Sequence, residues 1–377
     1  MKRKFWEELK EWKEKQSETP LMVVGARQIG KTYIIDKFCK ENYKDYIYLN
    51  LMDEEGIVEI FNESIPTENK VKKMELLLGR LITEETIIFF DEIQESEKLI
   101  SALKYFCESK KHYNIICAGS LLGVKLKRFS SSFPVGKVII KYMYPMTFEE
   151  FLDAIGYANI IPEIRKCFDT NTKMSNPIHE KLLDYYRLFI ATGGMPIAVK
   201  NIIQNDLEIL KFNNNLVTSI IDAYFADMKK YTLNYYENIK IEKLYKNIPS
   251  QLAKENKKFQ FSKIEQYARK REFESSLEWL IASQLVIPCY MVERFETPLK
   301  GFMDESKFKL YLSDTGILTE LLEIPRNMVL LNSNFQYKGV ITENYVANEL
   351  KAKELSLYYW AKNQVAEIDF LIDTSQG

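Results

Sequence analysis

The chain has 377 residues, more than one ordinary domain needs and enough for two to four. Its 46 % apolar and 28 % charged residues are a globular rather than a disordered profile, and a formal net charge of −1 excludes a global field drawing the whole chain to nucleic acid, so any basic surface must be local. The five cysteines (Cys39, Cys107, Cys117, Cys167, Cys289) form no CxxC pair, which argues against a zinc site and suits a reducing, cytoplasmic setting. The opening MKRKFWEELKEWKEKQ is charged throughout, and no apolar stretch reaches 18 residues, so neither a signal peptide nor a membrane span is expected.

In chain order, the first apolar run is LMVVGA, readable as a buried parallel strand. It leads into GARQIGKT (Gly25, Ala26, Arg27, Gln28, Ile29, Gly30, Lys31, Thr32) and then into TYIIDKFCK, where Ile34, Ile35 and Phe38 share a helical face. Strand, glycine loop and helix are the context in which this spacing makes a phosphate cradle. The two glycines permit turns that a side chain would block, and the backbone N–H groups and helix N-terminus then face the phosphates. Lys31 is expected to reach the β and γ oxygens of ATP, and the Thr32 hydroxyl to take one Mg²⁺ position.

DYIYLNL (45–51) reads as the second strand, and TIIFFDEIQ supplies a third, with residues 87–90 buried and Asp91-Glu92 at its carboxyl end. Asp91 would hold Mg²⁺ through water, and Glu92 would orient or deprotonate the attacking water. YNIICAGSLLG (113–123) is apolar until Ser120, which either senses the γ-phosphate from the adjacent strand or caps the next turn. KVIIKYMY closes the region, giving five strands alternating with helices: an α/β parallel sheet with nucleotide at the carboxyl ends of its strands.

GARQIGKT, IIFFDEIQ, CAGSLLG, YPMTFEEFL and ATGGMP occur in this order, and together they resemble the bacterial and archaeal AAA-type ATPases that carry a C-terminal domain of unknown function. The resemblance runs from about residue 18 to the end. It implies a nucleotide-binding domain over 1–156, a helical lid over 157–236, a winged helix over 237–320 and a PD-(D/E)xK-nuclease-like segment over 321–377. Members often carry Gly-Arg before the strand leading to YPMTF. Here Gly136-Lys137 stand there, and Arg128 is the nearest alternative for an arginine finger.

Within the lid, residues 182–191 of KLLDYYRLFIATGGMP read as a helix that Gly193-Gly194 end and Pro196 cannot continue. Arg187 is either a lid residue reaching the phosphates or a solvated helix charge. From Ile241, three short helical patterns precede two strand-like runs, VIPCYMVER and FKLYLSD, the order of a winged helix-turn-helix, with residues 275–283 on the reading helix. Residues 254–271 hold Lys254, Lys257, Lys258, Lys263, Arg269, Lys270 and Arg271 against two glutamates, with Phe259, Phe261 and Tyr267 interleaved. That is a candidate DNA-phosphate patch, or else the solvated face of a protein coupler.

In the last segment, Glu343 on a helix and Asp369 on a strand match the first two roles that the nuclease resemblance implies, with Glu367 as a neighbour. No E-x-K follows. DTSQG reads as a turn, so the expectation is a natural product that continues past Gly377, unless a lysine from elsewhere, such as Lys362, completes the site.

Three functions fit: an ATP-driven switch acting on DNA or a protein, an ATP-regulated metal-dependent nuclease, and a non-hydrolysing nucleotide-gated module. Glu92 favours the first two, and the absent E-x-K disfavours the second. A homo-oligomer is compatible with each.

Overall fold

A computed structural model describes residues 1–15, 17–127, 133–232, 234–254, 257–331, 336–362 and 365–374. Arg128 lies outside them. The chain divides into two compact units, Arg3–Tyr144 and Pro145–Gly377 (with Met1–Lys2).

The front unit is built on β1 (Leu21–Val24), β2 (Asp45–Asn50), β3 (Thr86–Asp91), β4 (Asn114–Gly119) and β5 (Ile139–Tyr142), all parallel and ordered β2-β3-β4-β1-β5. The three central strands are buried along their whole length, as their unbroken apolar runs require, while the edge strands β2 and β5 are partly exposed. One core layer joins Met22 and Val24 of β1, Ile88 and Phe90 of β3, and Ile115 and Cys117 of β4 to Ile57, Phe61, Leu99, Leu103 and Phe106 of the covering helices. The first helix, Phe5–Lys15, buries Phe5, Leu9 and Trp12, a 4-then-3 spacing that leaves its charges in water. The sheet brings the carboxyl ends of β1, β3 and β4 side by side, where the glycine loop, Asp91 and Ser120 sit.

The second unit begins with Thr147, which caps Phe148–Ala154 in a reciprocal capping box with Glu150. The helix Asn176–Thr192 ends at Gly193 (φ 81°), and Pro196 opens the next helix, Pro196–Gln204, so the glycine pair terminates a helix as its sequence suggests. The structure adds a tertiary reason. Asp314 accepts the backbone N–H of Gly194 at 2.6 Å and that of Ile317 at 3.1 Å, and a Cβ on Gly194 would stand 2.1 Å from the Met146 carbonyl oxygen. Buried Arg326 donates to Ala191 O, to Glu320 at 2.8 Å and to Asn214 at 2.8 Å, gathering the same helix ends.

The helices Tyr235–Leu252 and Lys270–Ala282 precede β6 (Val286–Val292) and β7 (Met303–Leu312). The winged-helix expectation needs two corrections. The middle helix is only a 3₁₀ turn, Phe261–Lys263, because Phe259 and Phe261 plug into the core beside Phe273 and Phe308 and hold the chain against helical continuation. The hairpin is not a free wing. β6 also pairs in parallel with β8 (Leu357–Lys362), which pairs with β9 (Ala366–Leu371), giving the order β7-β6-β8-β9.

Candidate phosphate-binding site and the acidic tail cluster

At the first turn of the loop, Gly25 is needed sterically: a Cβ would lie 2.4 Å from Ile29 Cδ1 and 2.6 Å from the Met143 carbonyl oxygen. Gly30 adopts φ 91° at the N-cap of the helix Lys31–Asn42, and Gln28 takes φ 66°. Ala26 and Ile29 are buried and anchor the loop, while Arg27 and Gln28 face solvent. Lys31 is buried, and its Nζ donates to Gly25 O and Ala26 O at 2.8 Å each. The ammonium thus folds back onto carbonyls of the loop itself.

The Thr32 hydroxyl donates to Asp91 Oδ2 at 2.8 Å, so these two oxygens converge although 59 residues separate them in sequence. A hydroxyl and a carboxylate are hard oxygen donors of the kind Mg²⁺ takes. Asp91 also accepts from the Glu92 N–H at 3.0 Å and from the Tyr48 hydroxyl at 3.1 Å. Burial pushes the Asp91 carboxyl up from its ordinary value, and the donors from Thr32, Glu92 and Tyr48 oppose that rise. Glu92 itself is half-buried and takes the left-handed φ of 52°, which turns it off the strand direction. Ser120 is buried just past the end of β4.

Two residues with no role in the sequence reading stand here. Tyr48 reaches Asp91 from β2, and Gln94 donates Nε2 to Glu92 Oε2 at 2.5 Å. Gln94 was visible inside DEIQ. Tyr48 carried no sequence signal, because only the β2–β3 pairing brings it close.

The tail brings Glu343, Glu367 and Asp369 together, but around a lysine absent from the sequence argument. Lys309 Nζ on β7 lies 3.1 Å from Glu343, 2.5 Å from Glu367 and 3.1 Å from Asp369, with its side chain almost fully buried. Lys257 and the Tyr311 hydroxyl also donate to Glu343. Burial opposes the Lys309 charge, yet the three carboxylates outweigh it and hold its pKa above the ordinary value. Among the described residues no three His, Cys, Asp or Glu side chains are arranged to ligate a metal. A cavity of 540 Å³ lies beside this cluster, lined in part by Lys257, Lys338, Thr342 and Asp369. The signal for Lys309 was a lone lysine inside the buried run FKLYLSD.

The basic stretch 254–271 is partly consumed internally. Lys257 turns to Glu343, and Lys270 donates to the Glu305 carbonyl at 3.2 Å. Phe259 and Phe261 are core residues, so of the interleaved aromatics only Tyr267 is exposed. The helix expected to read bases buries Ser276, Leu277, Trp279 and Leu280 and exposes Glu274, Ser275 and Glu278. Arg187 pairs with Asp184 at 2.7 Å on its own helix. No helix among the described residues is long and apolar enough to cross a membrane.

Comparison with known proteins agrees with the front unit. Residues 17–152 match the family described as AAA domain, and residues 183–327 match a domain of unknown function, DUF8612. No curated protein matches the chain. Among solved structures, the Walker-type ATPase paby2304 of Pyrococcus abyssi is similar at TM-score 0.51 and 15 % identity, over 84 % of this chain and 94 % of that one. The ORC2 protein of Aeropyrum pernix, solved with ADPNP and ADP, aligns at TM-score 0.43 and 11 % identity, over 88 % and 89 %. The front of the chain is therefore an AAA-type P-loop domain with a five-stranded parallel sheet.

Proposed function

We propose that the chain is a Mg²⁺-dependent ATPase whose nucleotide state controls the second unit. The observation that carries this reading is the convergence of the Thr32 hydroxyl and the Asp91 carboxylate at 2.8 Å, beside a glycine loop that holds the Lys31 ammonium. In this reading the backbone N–H groups of residues 25–30 cradle the phosphates and Lys31 leaves its two carbonyl partners to meet the β and γ oxygens. Thr32 and Asp91 hold Mg²⁺, which when bound neutralises phosphate charge. Glu92 takes the proton of the attacking water, and Ser120 hydrogen-bonds the γ-phosphate.

The second unit is the responding module, and its partner is read as a protein surface. The exposed side of the helix Lys270–Ala282 carries Glu272, Glu274 and Glu278 against a single exposed arginine, Arg271, so the acidic groups that would repel DNA phosphates outnumber it, and two lysines of the basic stretch are engaged within the unit. A cytoplasmic setting fits these assignments.

The test is ATP turnover with Mg²⁺, measured with and without duplex DNA. Magnesium-dependent turnover indifferent to DNA supports the reading. ATP binding without turnover would favour a nucleotide-gated module, and strong stimulation by DNA would reassign the partner.

A further inference from the structure

Gln94 lies on the 3₁₀ turn Ile93–Glu95 that follows β3, and it is only 1 % exposed. Its two amide atoms meet different strand ends. Nε2 donates to Glu92 Oε2 at 2.5 Å, at the end of β3. Oε1 lies against Gly119 at the end of β4, so closely that a Cβ there would stand 2.1 Å from it. That oxygen is sealed from solvent and has no hydrogen-bond partner among the described residues. The orientation follows from chemistry. An ionised carboxylate only accepts hydrogen bonds, so the NH₂ side must face Glu92 and the carbonyl side must face β4.

A buried amide oxygen without a partner lowers stability, and a leucine or methionine of similar size would avoid that cost. Core packing therefore does not account for a glutamine here. Glycine at 119, which gives the amide its room, fits the same account.

We propose that Gln94 is a positioning residue for ATP hydrolysis: it fixes the Glu92 carboxylate against the end of the strand that leads to Ser120, so that the candidate general base and the candidate γ-phosphate sensor keep a common register. This rests on the ATPase reading above. Glu92 needs such a hold. It sits on a left-handed residue between the end of β3 and the turn Ile93–Glu95, and its side chain does not cap that turn. The unused acceptor of Gln94 faces β4 and not Glu92, so a shift at the β4 end on nucleotide binding passes through one amide to the carboxylate.

The test compares wild type, Gln94→Met, Glu92→Gln and the double variant, each full length, for ATP affinity and for kcat and KM. Methionine keeps the volume and removes both hydrogen-bonding groups. The expected result for Gln94→Met is a kcat lower by about 10–10²-fold with KM and ATP affinity kept, the size of loss that misplacing a catalytic group brings. In the Glu92→Gln background the same change should have little further effect, because both act through one carboxylate. Should Gln94→Met fail to fold, Gly119→Ala displaces the same amide from the other side and should give the same pattern. Wild-type kcat in these variants, or an equal loss with and without Glu92, overturns the positioning role while leaving the ATPase reading standing. No turnover by the wild type overturns the ATPase reading itself, and the positioning role with it.

Discussion

At the scale of single residues, the phosphate loop separates atoms that hold the fold from atoms free for chemistry. Gly25 and Ile29 are packed against each other, whereas the Lys31 ammonium donates to the carbonyls of Gly25 and Ala26, within the loop itself. Lys31→Ala should therefore leave circular dichroism unchanged and lower ATP affinity at least about tenfold, since a charge-assisted contact to phosphate is lost. Nucleotide titration of the folded variant checks this, and wild-type affinity would contradict the cradle assignment. Glu92→Gln should behave differently. Asp91 and Thr32 remain to hold Mg²⁺, so ATP stays bound, while turnover falls by about 10²–10⁴-fold as a general base is lost. Single-turnover hydrolysis is the measurement, and an unchanged rate removes Glu92 from the mechanism.

At the scale of elements, the second unit depends on two polar junctions. In the first, Asp314 ties the end of Asn176–Thr192 to the start of Thr315–Leu321. Gly194→Ala places a methyl against the Met146 carbonyl, a clash with backbone that no rotamer relieves. Overpacking of this kind costs about 1–3 kcal/mol, so the melting temperature of this unit should fall by about 2–12 °C, readable by calorimetry. The second junction is Lys309 among Glu343, Glu367 and Asp369. Lys309→Met removes one of three donors to Glu343, and the remaining two limit the loss to about 1–3 kcal/mol by denaturant melts. The pH dependence has a definite sign. The folded pKa of Lys309 lies above its unfolded value, so its stabilisation is complete below about pH 10.4 and is lost only as pH rises through the higher folded value. Wild type should consequently lose stability above pH 10.4, while Lys309→Met lacks that alkaline component.

At the scale of the whole molecule, the chain combines an AAA-type front unit with a second unit in which Lys257 and Lys309 pair with carboxylates of the same unit, and the proposed partner is a protein surface. Anisotropy titration with unrelated duplexes at physiological salt should show only weak binding, at or above the roughly 10⁻⁶ M end of the non-specific range. Tight binding abolished by reversing Lys258 and Lys270 would restore the DNA reading. Much of the front unit was legible in the sequence because its signals are local. A strand, a glycine loop and a helix N-terminus follow one another within about a dozen residues, and an apolar run ending in Asp91-Glu92 needs no distant partner to be recognised. The end of the helix before Gly193 was legible for the same reason. What only the tertiary structure decided depends on strand order. The parallel pairing of β2 with β3 carries Tyr48 to Asp91, and that of β3 with β4 carries Gly119 to Gln94. Pairing of β6 with both β7 and β8 makes the expected wing part of a four-stranded sheet with β6 inside it, and with the pairing of β8 to β9 it sets Lys309 among three carboxylates. Sequence distance hides such contacts, since a hydrogen bond or an ion pair depends on separation in space, which the sheet's register sets.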